Sequence, residues 1–167
     1  MPPPALIEAT TLGDLLLRAA ARWPEREALV FPHLRLGYRE LAERACLRAR
    51  ALVATGVEPG DHVGILSHNL PEMIETLFAS ALCGAVAVLL NARYRVDELR
   101  YVIGNADLRL LFTSTRFGSH GDFPALLREA LPGLQADGSQ APEVAAMALP
   151  RAVVALERSP EIGRAHV

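Results

Sequence analysis

The chain has 167 residues, 51% hydrophobic but only 5% aromatic, so its apolar content is mostly Ala, Leu and Val, the filling between helices and a buried sheet. A formal net charge of -2, with arginines scattered along helices, excludes a basic surface for gripping nucleic-acid phosphates. The start lacks the basic region and apolar run of a secretory signal; the most apolar stretch, 77–90, is too short for a membrane span and is broken by Ser80 and Gly84.

Thr11 followed by Asp14 resembles a capping box, and Leu12, Leu15, Leu16, Ala19, Ala20 and Trp23 then recur at helical spacing until Pro24 stops the helix. Residues 28–31 and 35–38, joined through Pro32 and His33, predict a small hairpin. From Arg39 the helical pattern returns, with Leu41, Ala45, Ala49 and Leu52 on one stripe and Gly56 as a left-handed C-cap. Residues 62–67 form a short apolar strand, and Asn69 with Glu72 is expected to cap a helix from Leu70 to about Cys83.

The unit recurs as a strand at 85–90, a helix at 96–103 and a strand at 108–113. Residues 123–131 suit a helix, 132–142 a loop, and 152–156 a last strand. Continuous apolar strands alternating with helices imply an α/β fold: a parallel βαβ sheet with helices on both faces, preceded by the N-terminal helix and small hairpin. Cys46 and Cys83 fall in apolar helical patterns without ligand-spaced partners; they are expected to be small buried hydrophobes, suited to a reducing cytoplasm.

A nucleotide site on such a sheet usually carries a glycine-rich first turn, because glycine lets backbone N–H groups approach phosphate closely. Gly56, Gly60 and Gly64 are spaced instead as turn and strand glycines, and neither common phosphate-loop pattern is present. Ser67 lies at a strand-to-helix corner, but Leu66, His68 and Asn69 around it lack the small residues a strained nucleophile elbow needs. His33, His62, His120 and His166 have no carboxylate at helical ligand spacing and read as solvated or turn histidines. Glu72 and Glu75 share a helical face, which reads as solvated.

Ligands bind off the carboxyl ends of strands in open α/β sheets. His68 and Asn69 on one corner, with Asn91 and Arg93 on another, are therefore the best-placed candidates for contact with a substrate. The simpler alternatives, Arg93 pairing with a nearby carboxylate and Asn69 only capping, stay open.

The order of signals resembles the opening of adenylate-forming (AMP-binding) enzymes. The resemblance rests on Trp23-Pro24, the strand 28–31, Tyr38-Arg39-Glu40-Leu41, the turn 56–63, Asn69 with Glu72, and Gly84-Ala85-Val86-Ala87. Residues 90–95 and 98–103 look most like the acyl-CoA synthetase, or fatty-acid-CoA ligase, branch; the alternative is an amino-acid adenylation domain. The resemblance implies an incomplete N-terminal subdomain, about a third of a family member, whose full-length enzyme condenses a carboxylic acid with ATP and passes the acyl group to coenzyme A. It implies ATP, Mg2+ and coenzyme A for that enzyme, none of them bound by this chain alone, a carboxylic acid substrate of the fatty-acid kind and a cytoplasmic location, and leaves homo-oligomerisation open.

The family's phosphate loop, its ribose-binding Asp and its late catalytic Lys are expected beyond residue 167, and the chain contains no Lys at all. Residues 161–167 back-translate to GAGATCGGAAGAGCACACGTC, which resembles a short-read sequencing adapter. Residues 1–160 are accordingly expected to be a partial AMP-binding-enzyme domain and 161–167 a non-biological tail. A small complete α/β binding module is the reading from a different class.

Overall fold

A computed structural model describes residues 11–114, 122–132, 150 and 152–156. The first helix, α1 (Leu12–Arg22), starts where the Thr11 hydroxyl accepts the backbone N–H of Asp14 at 3.0 Å, satisfying one of the unpaired donors of the first turn. An antiparallel hairpin follows, β1 (Glu27–Phe31) and β2 (Leu34–Gly37), and leads directly into α2 (Tyr38–Ala54). The α2 helix buries the predicted stripe of Leu41, Ala45, Ala49 and Leu52. It ends with Gly56 at φ 83° and with the N–H groups of Gly56 and Val57 donating to the carbonyls of Val53 and Leu52. That is the Schellman geometry in which a residue without a Cβ relieves the left-handed turn.

The remaining elements are β3 (His62–Leu66), α3 (Pro71–Leu82), β4 (Val86–Leu90), α4 (Val96–Asn105), β5 (Leu108–Thr113), α5 (Phe123–Ala130) and β6 (Ala152–Ala155). The four strands β3 to β6 form one parallel sheet in the order β4-β3-β5-β6. After β4 the chain returns past β3 to make β5, so the crossover direction reverses and α3 and α4 cover opposite faces. On one side, Val63 and Leu110 pack with Ala49 and Leu52 of α2 and Ala79 of α3. On the other, Leu66, Leu90 and Leu111 pack with Leu99 and Ile103 of α4 and Phe123 and Leu127 of α5. Gly64 makes the second packing possible, since a Cβ there would lie 2.6 Å from Leu108 Cδ1 and 2.8 Å from Leu111 Cδ1.

Four sequence expectations are corrected, the burial of Cys46 and Cys83 among them. The α1 stripe is only partly core: Leu16 is buried beside Gly13, while Leu12, Leu15 and Trp23 stay exposed, because α1 packs through its Gly13 face against Leu82 of α3. Asn69 does not cap α3; the N-cap is Leu70, Pro71 is the first helical residue, and no side chain caps the turn. Glu75 is not on a solvated face but buried between α2 and α3. Cys46 and Cys83 are free and only half-buried. No helix among the described residues is long and apolar enough to cross a membrane. The loop expected at 132–142, apart from Pro132, and the tail 161–167 lie outside the described residues.

Candidate functional site

All four parallel strands end in one line. Leu66 of β3 pairs with Leu90 of β4 and Thr113 of β5, and Thr113 pairs with Ala155 of β6. The residues that follow therefore emerge at one edge: Ser67, His68 and Asn69 after β3, Asn91 to Arg93 after β4, Ser114 after β5 and Leu156 after β6. The chain after β3 turns to the α3 face and the chains after β4 and β5 turn to the other, which opens a crevice at the strand ends.

A row of hydroxyls floors this edge. Ser67, Thr113 and Ser114 are buried polar residues. Ser67 Oγ donates to the His68 carbonyl at 2.8 Å, and the Ser114 N–H continues the ladder to the Leu66 carbonyl at 3.1 Å. Ser67 has no strained backbone: among the described residues the only non-glycine at positive φ is Asp107, in the turn before β5. Its hydroxyl is held within the corner by that bond to the His68 carbonyl and does not cap α3. Thr113 and Ser114 escaped the sequence reading, although a polar pair closing an apolar strand was the available signal.

The candidates from sequence fall on two adjacent corners of this edge. His68 is half-buried and lays its ring 4.6 Å from that of Phe123, the first residue of α5, so it packs as well as faces the crevice. Asn69 is exposed. Asn91 Oδ1 accepts the Arg93 N–H at 2.9 Å, an Asx turn that shapes the backbone leaving β4. Arg93 is exposed and makes no ion pair with another described residue, whereas its neighbour Arg100 is tied to Asp97 at 2.7 Å and to the Ala130 carbonyl at 3.0 Å.

Arg93 borders a shallow cleft of about 710 Å³ between the entry of α4 and the exposed side of α5, with Tyr94, Arg95, Leu126 and Glu129 among its walls. Two carboxylate-to-backbone hydrogen bonds lie at its rims. The Glu98 carboxylate accepts the Arg95 N–H at 2.9 Å at the start of α4, and Asp122 caps α5 through the Ala125 N–H at 3.0 Å. The arrangement offers guanidinium charge and amide groups that suit a polar, anionic portion of a ligand. Among the described residues no group of three or more His, Cys, Asp or Glu could hold a metal ion.

The described residues offer no cradle for the phosphates of a nucleotide. The glycines with left-handed backbone, Gly56, Gly60 and Gly84, precede β3 and β4 and so lie at the amino end of the sheet, opposite the crevice. Gly60 and Gly84 are joined there by an N–H to carbonyl bond of 2.9 Å. No described glycine at the carboxyl end has the backbone that would let N–H groups cradle phosphate.

A parallel sheet wrapped on both faces, opening at its carboxyl edge and preceded by a helix and hairpin, defines a class. The family model described as AMP-binding enzyme matches residues 16–161, and the chain belongs to that family. Among curated relatives it is similar to the acyl-CoA ligase sidI of Aspergillus fumigatus, 41% identical over 112 residues, covering 66% of this chain and 19% of the relative. It is also 38% identical over 109 residues to the 3-oxocholest-4-en-26-oate–CoA ligase of Rhodococcus rhodochrous, covering 65% and 20%. A solved chain from Rhodopseudomonas palustris, provisionally described as a long-chain-fatty-acid CoA ligase, superposes with a TM-score of 0.71 at 31% identity, covering 89% of this chain and 33% of that one. The N-terminal domain of FACL13 from Mycobacterium tuberculosis shares the fold, with a TM-score of 0.66 at 22% identity over 87% of this chain and 33% of that one. The chain thus spans about a fifth of the length of the curated relatives it matches.

Proposed function

We propose that this chain is the N-terminal portion of an ATP-dependent acyl-CoA synthetase. The complete enzyme joins a carboxylate to ATP, giving acyl-adenylate and pyrophosphate, and then transfers the acyl group to the thiol of coenzyme A with release of AMP. The observation that carries this reading is the match to the AMP-binding enzyme family across residues 16–161, in a chain whose matched relatives act as CoA ligases. The acid is of the fatty-acid class, in keeping with the medium/long-chain-fatty-acid–CoA ligase FadD6 of M. tuberculosis among those relatives, 34% identical over 105 residues. The enzyme works in the cytoplasm.

In this reading residues 1–160 supply a partial domain and 161–167 are a tail of non-biological origin. His68, Asn69, Asn91 and Arg93 form part of the substrate and coenzyme A channel at the carboxyl edge of the sheet. ATP and Mg2+ are held by other segments of the complete enzyme: the chain contains no Lys, and no described glycine at the carboxyl edge makes a phosphate-cradling turn. The chain by itself is inactive.

Two measurements test the reading. Sequencing the gene past codon 156 is expected to continue within a few dozen codons into a Ser/Thr/Gly-rich loop carrying a Lys, with the codons for 161–167 replaced. A genomic stop codon directly after residue 167 would instead support a small binding module. The uninterrupted protein should show fatty-acid-dependent exchange of pyrophosphate with ATP and form acyl-CoA, while the 167-residue chain shows neither above a blank.

A further inference from the structure

Glu72 stands in the first turn of α3, one helical turn before Glu75 and Thr76 and on the same side of the helix. That side is turned over the last two strands: Thr76 lines a cavity of about 130 Å³ with Phe112 of β5 and Val154 of β6, and Arg48 links the Glu75 carboxylate to the Leu156 carbonyl at the end of β6. A helical side chain leans toward the N-terminus of its own helix, and α3 begins at the carboxyl edge of the sheet, so Glu72 reaches past the ends of β5 and β6 toward the crevice. There its Oε2 is shut off from solvent, yet no described group donates a hydrogen bond to it. The neighbouring Glu75 carboxylate, also withdrawn from water, takes hydrogen bonds from both Arg44 and Arg48. A buried carboxylate oxygen without a donor costs free energy, which folded proteins avoid by supplying one.

We propose that Glu72 is a positioning residue of the complete enzyme: its carboxylate accepts a hydrogen bond from the segment that follows β6 and so fixes where the phosphate loop on that segment meets ATP. The identity of the loop rests on the acyl-CoA synthetase reading; the bond itself does not. Charge selects the occupant. ATP and a carboxylate substrate are both anionic and are repelled by Glu72, while Mg2+, which keeps several of its waters, does not suit an oxygen from which solvent is excluded. A backbone N–H, a hydroxyl or an ammonium of a Ser/Thr/Gly-rich loop supplies the missing donor and gains from the negative charge. The bond from Arg48 to the Leu156 carbonyl starts the following chain on the Glu72 side of the sheet.

The uninterrupted enzyme tests this with Glu72→Gln, which removes the charge, and Glu72→Asp, which withdraws the carboxylate by one methylene. In acid-dependent pyrophosphate exchange each should raise the KM for ATP about tenfold, the value of one charge-assisted hydrogen bond, and leave the KM for coenzyme A in the thiol step unchanged. Hydrogen exchange read by mass spectrometry should quicken in the segment that follows β6, with residues 62–113 protected as in the parent. Glu58→Gln, in the turn before β3 at the opposite end of the sheet, should move neither readout.

A parent-like KM for ATP together with parent-like exchange after β6 overturns the proposal and assigns water as the partner of Glu72. Quickened exchange across 62–113 with equal losses in both half-reactions also overturns it, since Glu72 would then serve only the packing of α3. An uninterrupted parent that makes no acyl-adenylate sinks the ligase reading instead, and the hydrogen-exchange comparison still decides whether Glu72 holds the segment after β6.

Discussion

Arg48 and Glu75 meet in the buried seam between α2 and α3, with Arg48 Nε donating to Glu75 Oε2 at 2.7 Å. The Glu75 side chain is only 6% exposed, and its second oxygen accepts from Arg44 Nη1 at 3.4 Å. Arg44 in turn is held by Glu40 at 2.7 Å, and that hydrogen bond keeps its guanidinium above the ordinary arginine value, so it is cationic at every working pH. Arg48 also donates from Nη2 to the Leu156 carbonyl at 3.4 Å, which ties the seam to the end of β6.

Replacing Glu75 by Gln should destabilise the chain by about 1.5–3 kcal/mol, because a charge-assisted bond is lost while Arg48 stays partly buried. Urea unfolding of Glu75→Gln checks this, and Arg48→Met, Glu75→Leu and the paired Arg48→Met, Glu75→Leu variant close a double-mutant cycle. The paired variant should lose less than the sum of the single losses, since it leaves no uncompensated charge. Full additivity would show that the two residues act independently.

Gly64 and Gly60 separate a packing requirement from a backbone one. A Cβ at Gly64 collides with Leu108 and Leu111 in the core, so Gly64→Ala should cost about 1–3 kcal/mol by overpacking. Gly60 has φ 90° and nothing within 4 Å of its would-be Cβ, so Gly60→Ala should cost only the strain of a left-handed residue, roughly 1–2 kcal/mol. Chemical denaturation distinguishes them further: Gly60→Asn should recover part of the loss, and Gly64→Asn should deepen it.

Among the described strands β4 is an edge of the sheet, with Val86 and Leu89 about half-exposed and no charged residue along its length. Unpaired strand edges of this kind template association. The isolated chain should self-associate as its concentration rises, and Val86→Lys together with Leu89→Lys should raise the concentration at which light scattering first reports oligomers. A parent chain that stays monomeric and unfolds cooperatively would contradict both this expectation and the reading as part of a larger domain.

If Arg93 contributes to the coenzyme A channel, Arg93→Ala in the uninterrupted enzyme should raise the KM for coenzyme A about tenfold, the value of one charge-assisted contact. Acid-dependent pyrophosphate exchange should change little, because that half-reaction precedes thiol entry. Steady-state kinetics of the two half-reactions checks it, and an equal loss in both would place Arg93 elsewhere.

Periodicity alone determined the elements of this protein, because a strand buried on both faces must be continuously apolar and a covering helix must repeat its apolar side. The strands at 62–67, 85–90, 108–113 and 152–156 and the Gly56 cap were legible in this way, as were the two corners carrying His68, Asn69, Asn91 and Arg93. Tertiary structure decided what periodicity cannot carry. The exposure of Leu12, Leu15 and Trp23 depends on which side of α1 meets α3, and Gly13, which lets the helices approach, offers no apolar signal. Glu75 reads as a surface residue until the fold brings Arg44 and Arg48 from 31 and 27 positions away, and only that neutralisation makes its burial stable. Asn69 lost the capping role to Leu70 because Pro71 fixes the first turn of α3 and needs no N–H acceptor there.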